Sequence, residues 1–199
     1  MNAGPRTTTR DIARAAVRSE LAQVAYDLIR REGFDRVTVS DLAAAAGVSR
    51  STFLRYFDTK EDAVIGAVEA QGEQLATALR ERPAEEDDWT ALRRALGALV
   101  EPFLRDPAEA LATTRLIMGT PALCNRRREK QHGWRPLLVG ALAGRTDPPR
   151  PEELALAVKA GAALECLDIA LDHWLASDGR LDLVHLLDET FAALTPADG

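Results

Sequence analysis

Residues 38–57 contain two short helical segments separated by one glycine turn, and this pattern constrains the fold more than any other feature of the sequence. Thr38, followed three residues later by Asp41, forms a capping box that begins the first segment. Gly47 supplies the turn, and Ser49 is the expected N-cap of the second segment. A short helix, a glycine turn and a second exposed helix are typical of a helix-turn-helix, although a solvated helical hairpin is the alternative.

The composition favours an all-α chain. Ala (35 residues) and Leu (27) are abundant, whereas Val and Ile together number 16. Ala and Leu lose little side-chain freedom in a helix, whereas β-branched residues pack better in strands. Apolar residues recur at three- and four-residue steps from residue 10 to residue 32, which predicts a first helix that ends at Gly33. The whole pattern predicts an all-α fold of about nine helices.

Capping and loop signals divide the chain into two domains. Thr59 and Asp62 form a second capping box, which begins a long fourth helix. Residues 82–88 combine a proline with four acidic residues and form the clearest linker. We expect a three-helix helix-turn-helix domain over residues 1–62, joined by the fourth helix to a helical domain over residues 63–199.

The charge is distributed unevenly along the chain. Residues 1–60 hold 10 Lys and Arg against 7 Asp and Glu, whereas residues 61–199 hold 15 against 24. A basic end on an acidic body directs that end toward an anionic partner. The overall charge of −6 therefore does not exclude a nucleic-acid partner.

The run from Thr38 to Asp62 resembles the DNA-binding domain of the TetR/AcrR family of bacterial transcriptional regulators. The matching parts are an acid-led helix, the sequence Ala-x-x-Gly-Val-Ser around the turn, an aromatic recognition helix that ends in Phe, and Thr-Lys-Glu at 59–61. The resemblance extends from Asp11 to Ala63. It implies a repressor that binds a palindromic operator in double-stranded DNA as a homodimer and is released by a small-molecule effector. It also implies that residues 63–199 form the ligand-binding and dimerisation domain.

The resemblance also assigns roles within the recognition helix. Its first residues read base edges, its later residues and the start of the next helix bind phosphates, and the outward face supplies further polar groups. Two departures from the family pattern are Leu54, where Tyr is common, and Ser51, where Gly is frequent. The predicted DNA-binding residues are Thr38, Arg50, Ser51, Thr52, Arg55, Tyr56 and Lys60.

The last two predicted helices, at about residues 152–176 and 181–194, are the candidates for dimerisation. Each carries an apolar face, and the family pairs these helices in a four-helix bundle. The alternative is that both faces only complete the core of the monomer. The two faces comprise Leu156, Ala160, Ala163, Leu164, Leu167, Leu171 and Trp174, and then Leu183, Val184, Leu187, Phe191 and Leu194.

A ligand pocket is expected between the middle helices. Residues 105–110 and 114–123 resemble an actinobacterial branch of the family, whose ligand domain accepts acyl-CoA-like molecules. The resemblance implies that such a hydrophobic effector favours a state in which the fourth helix moves the recognition helices off the half-site spacing. The predicted pocket residues are Arg115, Met118, Trp134, Leu138, Leu164 and Asp168.

Two charged clusters each allow two interpretations. Glu165, Asp168 and Asp172 lie on one side of a helix, either as a solvated face or as an acidic wall for a cationic ligand or for arginines. The run 126–130 is typical of a solvated helix start, and the alternative is a site for a phosphorylated ligand.

The sequence carries no arrangement typical of an enzyme. Glu129 and His132 form one Glu-x-x-His pair, whereas a di-iron bundle requires two such pairs and two further Glu residues. No glycine-rich phosphate loop and no spacing of metal ligands occur, so we predict no catalytic residue, metal or cofactor. A helical small-molecule-binding or scaffold protein without DNA affinity is the alternative function.

The expected location is the cytoplasm. No apolar run approaches the roughly 18 residues of a membrane span, so no membrane partner is expected. The first ten residues lack the apolar core of a signal peptide. Cys124 and Cys166 are predicted to be reduced thiols in a core.

Overall fold

Helices form all of the regular structure in the part of the chain that the structure describes. The computed structural model describes residues 8–146, 151 and 154–194. A 3-10 turn, Phe34–Arg36, follows the first helix. The α-helices are α1 (Thr9–Glu32), α2 (Val39–Ala45), α3 (Arg50–Leu54), α4 (Lys60–Val64), α5 (Gly66–Arg80), α6 (Asp88–Ala95), α7 (Gly97–Arg105), α8 (Pro107–Gly119), α9 (Pro121–His132), α10 (Trp134–Ala143), α11 (Leu154–Ala176) and α12 (Leu183–Ala192).

Five pairs of consecutive helices are separated by a single residue, two of them by Asp106 and Thr120. Ile65 interrupts the expected long fourth helix between α4 and α5, Leu96 separates α6 from α7, and Gly133 separates α9 from α10. At Ile65 the backbone has φ −103° and ψ 16°, outside the α region, and Gly66 follows with its low helix propensity. Leu96 and Gly133 keep backbone angles in the α region, so α6–α7 and α9–α10 each count as one interrupted helix, and the described residues then contain ten helices, close to the predicted nine.

The chain divides into two compact units, residues 1–66 and 67–199. The division falls slightly after residue 62, where the sequence placed the domain boundary. In the first unit, α1 buries Leu21, Ala25 and Ile29, which lie four residues apart on one face of the helix. The aromatic residues Phe53 and Phe57 complete this core with ring centroids 5.3 Å apart.

Short-range capping sets the ends of the helices in the first unit, as the sequence predicted. The Thr38 hydroxyl accepts a hydrogen bond from the amide of Asp41, and the Asp41 carboxylate accepts one from the amide of Thr38. Gly47 adopts φ +67°, in the left-handed region that favours glycine. These contacts are local: the capping box sets the start of α2, and Gly47 allows the turn between α2 and α3.

The second unit is organised around α11, the longest helix after α1. One face of α11 packs against α10 and α12, and α6 closes the same core. Trp89 on α6 donates from Nε1 to the carbonyl of Phe191 at 3.3 Å, and their rings lie 4.7 Å apart. An ion pair between Arg93 and Asp188, with Nε and Oδ1 2.6 Å apart, provides a second link between α6 and α12.

A buried arginine fixes the loop between α5 and α6. Arg145 follows α10 and is only 9% exposed. Its guanidinium donates to four backbone carbonyls, those of Leu79, Arg82, Pro83 and Glu86, at 2.8 to 3.4 Å. Two of these carbonyls belong to the end of α5 and the residues just after it, so Arg145 satisfies acceptors that a helix end leaves open.

The dimerisation faces predicted on the last two helices are wrong for most of their residues. Leu164, Leu167 and Leu187, for example, are at most 6% exposed within a single chain. The apolar stripes of α11 and α12 pack inside the unit. They complete the core of the monomer, which was the alternative interpretation. The exposed apolar side chains of α11 lie on its other side and comprise Leu154, Val158 and Ile169.

Candidate DNA-binding surface and ligand cavity

Two free cationic side chains lie at the ends of α3, one on its first residue and one on the residue that follows it. Arg50 and Arg55 are exposed, and neither guanidinium has a hydrogen bond or ion pair with any described residue. Phe53, on the opposite side of α3, is fully buried. The helix is therefore held by its apolar side while its arginines point into solvent, where a guanidinium can bind guanine or phosphate.

Hydroxyl groups cluster at the start of α3. Ser49 accepts a hydrogen bond from the amide of Thr52 at 3.1 Å, which is the cap predicted from the sequence. The Ser49 hydroxyl also lies 3.0 Å from that of Ser51 and donates to that of Thr52 at 2.9 Å. The cap thus orients both hydroxyls that the sequence assigned to DNA.

The regular part of α3 ends at Leu54, earlier than the predicted end at Phe57. One further helical hydrogen bond, from the amide of Phe57 to the carbonyl of Phe53 at 3.1 Å, continues the turn. Leu54 is half-buried and Tyr56 is partly exposed. The predicted DNA-binding residues of this segment therefore lie on one short, firmly packed turn.

Two arginines of α1 lie beside this turn and were absent from the predicted DNA-binding residues. Arg14 donates to the carbonyl of Arg55 at 3.4 Å, and its guanidinium carbon lies 5.9 Å from the centre of the Tyr56 ring. Arg18 donates to the carbonyl of Tyr56 at 3.4 Å and lies 5.0 Å from the centre of the Phe57 ring. Their contacts span about forty residues of sequence, so no local pattern could indicate them.

Thr38 and Lys60 have intramolecular partners. The Thr38 hydroxyl donates to the Asp41 carboxylate at 2.7 Å, and these hydrogen bonds lower the pKa of Asp41. The Lys60 ammonium donates to the carbonyls of Phe34 and Val37 at 2.9 and 3.2 Å, and it lies 4.1 Å from the Phe34 ring. Lys60 thus ties α4 to the 3-10 turn, and its contact with phosphate stays a prediction.

The second unit contains a cavity of about 420 Å³. Helices α7, α8, α10 and α11 contribute most of its lining, and α5 adds Gln71. Its apolar lining includes Leu99, Phe103, Ile117, Met118, Leu167 and Leu171. Ligand pockets are typically apolar clefts of about 300–1,000 Å³ with a few polar groups, and this cavity matches that description.

Two of the residues that line the cavity, Arg127 and Trp134, are buried and carry hydrogen-bond donors. Arg127 donates from Nη1 to the side-chain oxygens of Gln131 and Asp168, both at 3.0 Å. Gln131 in turn donates to the same Asp168 oxygen at 3.1 Å. Nε and Nη2 of Arg127, and Nε1 of Trp134, are buried without a hydrogen-bond partner among the described residues.

The structure distributes the predicted pocket residues among four places. Met118 and Trp134 line the cavity. Leu164 and Asp168 line a polar surface depression on the other side of Arg127. Arg115 forms an exposed ion pair with Asp178, with Nη2 and Oδ1 2.5 Å apart. Leu138 is fully buried in α10 and lines neither the cavity nor the depression.

Each of the two charged clusters has one member in the ion pair between Arg127 and Asp168. Glu165 and Asp172 are exposed and line the polar depression, whereas Asp168 is half-buried and pairs with Arg127. Within the run 126–130, Arg127 is buried, so this helix start is not uniformly solvated. Both cysteines are free thiols, and burial raises the pKa of Cys166.

Within the described ranges, no helix has both the length and the apolar character needed to cross a membrane. In the same ranges, no group of three or more His, Cys, Asp or Glu side chains is placed to hold a metal ion.

Two family patterns match the chain, one in each unit. Residues 21–65 match the family described as "Bacterial regulatory proteins, tetR family", and residues 86–198 match the "MftR C-terminal domain". The first match contains the helix-turn-helix, and the second contains most of the residues that line the cavity.

Curated relatives match nearly the whole chain. The HTH-type transcriptional regulator TcmR of Streptomyces glaucescens is 31% identical over 198 residues, covering 94% of this chain and 85% of that protein. The regulator MftR of Mycobacterium tuberculosis is 29% identical, covering 89% of each chain.

Solved structures share the fold. FadR of Thermus thermophilus, crystallised with lauroyl-CoA, has a TM-score of 0.61 at 22% identity and covers 92% of this chain and 99% of that one. FadR of Bacillus subtilis, crystallised with stearoyl-CoA, has a TM-score of 0.58 at 22% identity, with 89% and 97% covered.

The helix-turn-helix, the two family matches and the identity to TcmR agree with one another. Regulators of this family bind DNA operators as dimers and are not enzymes. The chain therefore belongs to the TetR family of bacterial regulatory proteins, and it is a ligand-responsive, DNA-binding transcriptional regulator.

Proposed function

We propose that this protein is a cytoplasmic repressor that binds a palindromic operator as a homodimer and leaves it when an apolar small molecule fills the cavity. The observation that carries the proposal is the presence, in one chain, of free exposed arginines at the two ends of α3 and a largely apolar cavity. The first feature suits an anionic duplex, and the second suits an effector.

Arg50 is the residue that we assign to base reading. It is the first residue of α3, where a recognition helix contacts base edges, and its guanidinium is free. Ser51 and Thr52 lie beside it with their hydroxyls oriented by Ser49. We assign Arg55, Tyr56, Thr38 and Lys60 to the DNA backbone, with Arg14 as an additional cation next to Tyr56.

Dimerisation uses the exposed side of α11 in this proposal. Val158 and Ile169 are 60% and 41% exposed and lie three helical turns apart on the same side of the helix. Pairing through this surface covers apolar side chains that the monomer leaves in water. Two recognition helices then reach half-sites one turn of DNA apart, about 34–36 Å.

The effector has an apolar part that fills the cavity, as the acyl chain of an acyl-CoA or a smaller hydrophobic molecule would. The two FadR proteins with the same fold bind lauroyl-CoA and stearoyl-CoA, and the cavity of this chain is lined mainly by aliphatic and aromatic groups. Gln71 on α5 belongs to the lining, and α5 begins one residue after α4. A ligand that binds one position of α5 more tightly shifts the population toward that position.

Fluorescence anisotropy with a labelled duplex from the gene's own promoter region tests the proposal. We expect salt-dependent binding by the wild type, competition by the unlabelled duplex, and release when lauroyl-CoA is added as the first probe. Ala110→Phe, which adds a ring to the cavity lining, should retain DNA binding and lose the response. Ala108→Phe, an exposed position on the same helix, should respond as the wild type does.

Two results would contradict the proposal. Absence of any preference for promoter DNA over an unrelated duplex would favour the alternative, a helical small-molecule-binding protein. Equal responses of the wild type and Ala110→Phe would show that the effector acts from a place other than the cavity.

A further inference from the structure

The strongest unexplained feature of the molecule is the set of unpartnered donors at the cavity. Arg127 is 9% exposed and Trp134 is 5% exposed, and both line the cavity. Arg127 Nε, Arg127 Nη2 and Trp134 Nε1 have no hydrogen-bond partner among the described residues. A buried donor without a partner is unfavourable, so such groups are rare unless something else completes them.

The free donors of Arg127 form one edge of its guanidinium. The other edge, at Nη1, is held by Gln131 and Asp168, which fixes the orientation of the group. Elsewhere in this protein, Arg82 and Arg105 use Nε and Nη2 together to bind both oxygens of Glu86 and Glu101. The free edge of Arg127 consists of the same two nitrogen atoms and can therefore donate to an oxygen acceptor in the same way.

The charges around the cavity favour an uncharged acceptor. Asp168 already balances the charge of Arg127. The other ionisable side chains of the lining are Arg105, which pairs with Glu101, and the two carboxylates of Asp106 and Glu109. An anion placed in this cavity would be desolvated close to carboxylates without a free cation to balance it, whereas a neutral oxygen needs only the donors.

We propose that the effector of this regulator carries an uncharged carbonyl oxygen, as in an ester, thioester or ketone, which binds the free edge of Arg127 and Nε1 of Trp134. The apolar part of the effector lies against Phe103, Ile117, Met118 and Leu167. The inference rests on the proposed function, because it concerns the same cavity, and it adds the chemical class of the effector.

A matched set of probes isolates the carbonyl group. The probes are 2-undecanone, its isostere 2-methyl-1-undecene, in which CH₂ replaces the oxygen, and the decanoate anion. Each displaces the neutral dye Nile red from the full-length protein in the absence of DNA. We expect the ketone to compete at about tenfold lower concentration than either other probe, the typical effect of a buried hydrogen bond to a charged donor.

Variants connect this preference to the two residues. Trp134→Phe removes the N–H and keeps an aromatic ring, so the alkene should bind as before while the ketone loses several-fold. Trp89→Phe is the control, because it removes an indole N–H that bonds to Phe191 outside the cavity lining. Arg127→Met should reduce the preference for the ketone to within about twofold. A thermal melt of each variant shows that it is folded.

The inference is overturned if the wild type binds ketone and alkene equally, prefers decanoate, or binds no ketone. It is also overturned if both cavity variants keep the full preference. Because the binding assay contains no DNA, a failure of the operator response leaves this inference standing. Operator release by lauroyl-CoA without any carbonyl preference would instead refute the inference alone.

Discussion

The two units of this protein differ in whether their free hydrogen-bond donors are exposed to solvent or buried. In the first unit the free guanidiniums of Arg50 and Arg55 lie outside, in water. In the second unit the free donors of Arg127 and Trp134 lie inside, at the wall of a cavity. An exposed donor is satisfied by water until a partner arrives, whereas a buried one costs about 1–3 kcal/mol until something binds it.

This difference separates two kinds of recognition. On the proposed DNA-binding surface, the exposed Arg50 and Arg55 have no intramolecular partner among the described residues, so these two side chains can be removed with little effect on stability. The cavity is part of the core, so its residues contribute to both stability and binding. Substitutions in the two units should therefore change different measurements.

Replacing the buried Arg145 by Met should have the largest effect, because it removes a guanidinium that serves four carbonyls in the second unit. We expect a loss of about 3 kcal/mol in the free energy of unfolding. All three tryptophans lie in the second unit, so their fluorescence during denaturation reports on it. Arg80→Met, an exposed position on α5, is the control. Equal losses of stability in both variants would contradict the stabilising role of the buried Arg145 contacts.

Gly72→Ala should have the next largest effect. A Cβ at this position of α5 would lie 2.7 Å from Nε1 of Trp134, so the indole at the cavity wall has to move. We expect a loss of about 1–3 kcal/mol from overpacking, together with weaker displacement of Nile red by 2-undecanone. Gly140→Ala on α10 meets open space and should be neutral or stabilising by up to about 1 kcal/mol.

Arg50→Ala tests whether an exposed arginine of the first unit affects DNA affinity without affecting stability. Its guanidinium has no partner among the described residues, so the melting temperature should stay unchanged. Specific operator affinity should fall by about 1–3 kcal/mol, with relaxed preference at one base pair. Anisotropy titrations against operator variants measure both, with the exposed Arg31→Ala at the end of α1 as the control. A large loss of stability in Arg50→Ala would contradict the assignment.

The smallest effect concerns pH and the second unit. Hydrogen bonds and ion pairs from Arg82 and Arg94 lower the pKa of Glu86 to about 2. Because this folded-state pKa is below the ordinary value of 4.5, the carboxylate stabilises the fold above pH 4.5 and loses that contribution as the pH falls toward 2. Unfolding monitored from pH 7 to pH 3 should show a shallower acid dependence for Glu86→Gln. Glu85→Gln, at the exposed neighbouring position, is the control, and its acid dependence should match that of the wild type.

The predictions that were confirmed are those that depend on neighbouring residues. The capping box at Thr38, the cap at Ser49 and the turn at Gly47 each involve residues within three or four positions of one another. The family resemblance and the all-α fold rest on the same local patterns. The interruption at Ile65 was missed because apolar spacing continues through it and only the backbone angles change.

The cavity was harder to predict. Met118 and Trp134 were included among the predicted pocket residues and line it, whereas Arg127 was assigned to a solvated helix start. Its partner Asp168 lies 41 residues away, so nothing in the run 126–130 distinguishes the buried arginine from its neighbours. The apolar faces of α11 and α12 were likewise assigned to a dimer, because a stripe has the same spacing whether its partner is another helix of the chain or another copy.

The sequence by itself determined the helices, their caps and the short turn that presents Arg50, because hydrogen bonds between residues close in the chain decide those features. Only the tertiary structure decided which apolar faces are buried, which arginine lies beside the cavity and which donors lack partners. Those properties depend on side chains that are distant in sequence and become neighbours only when the helices pack.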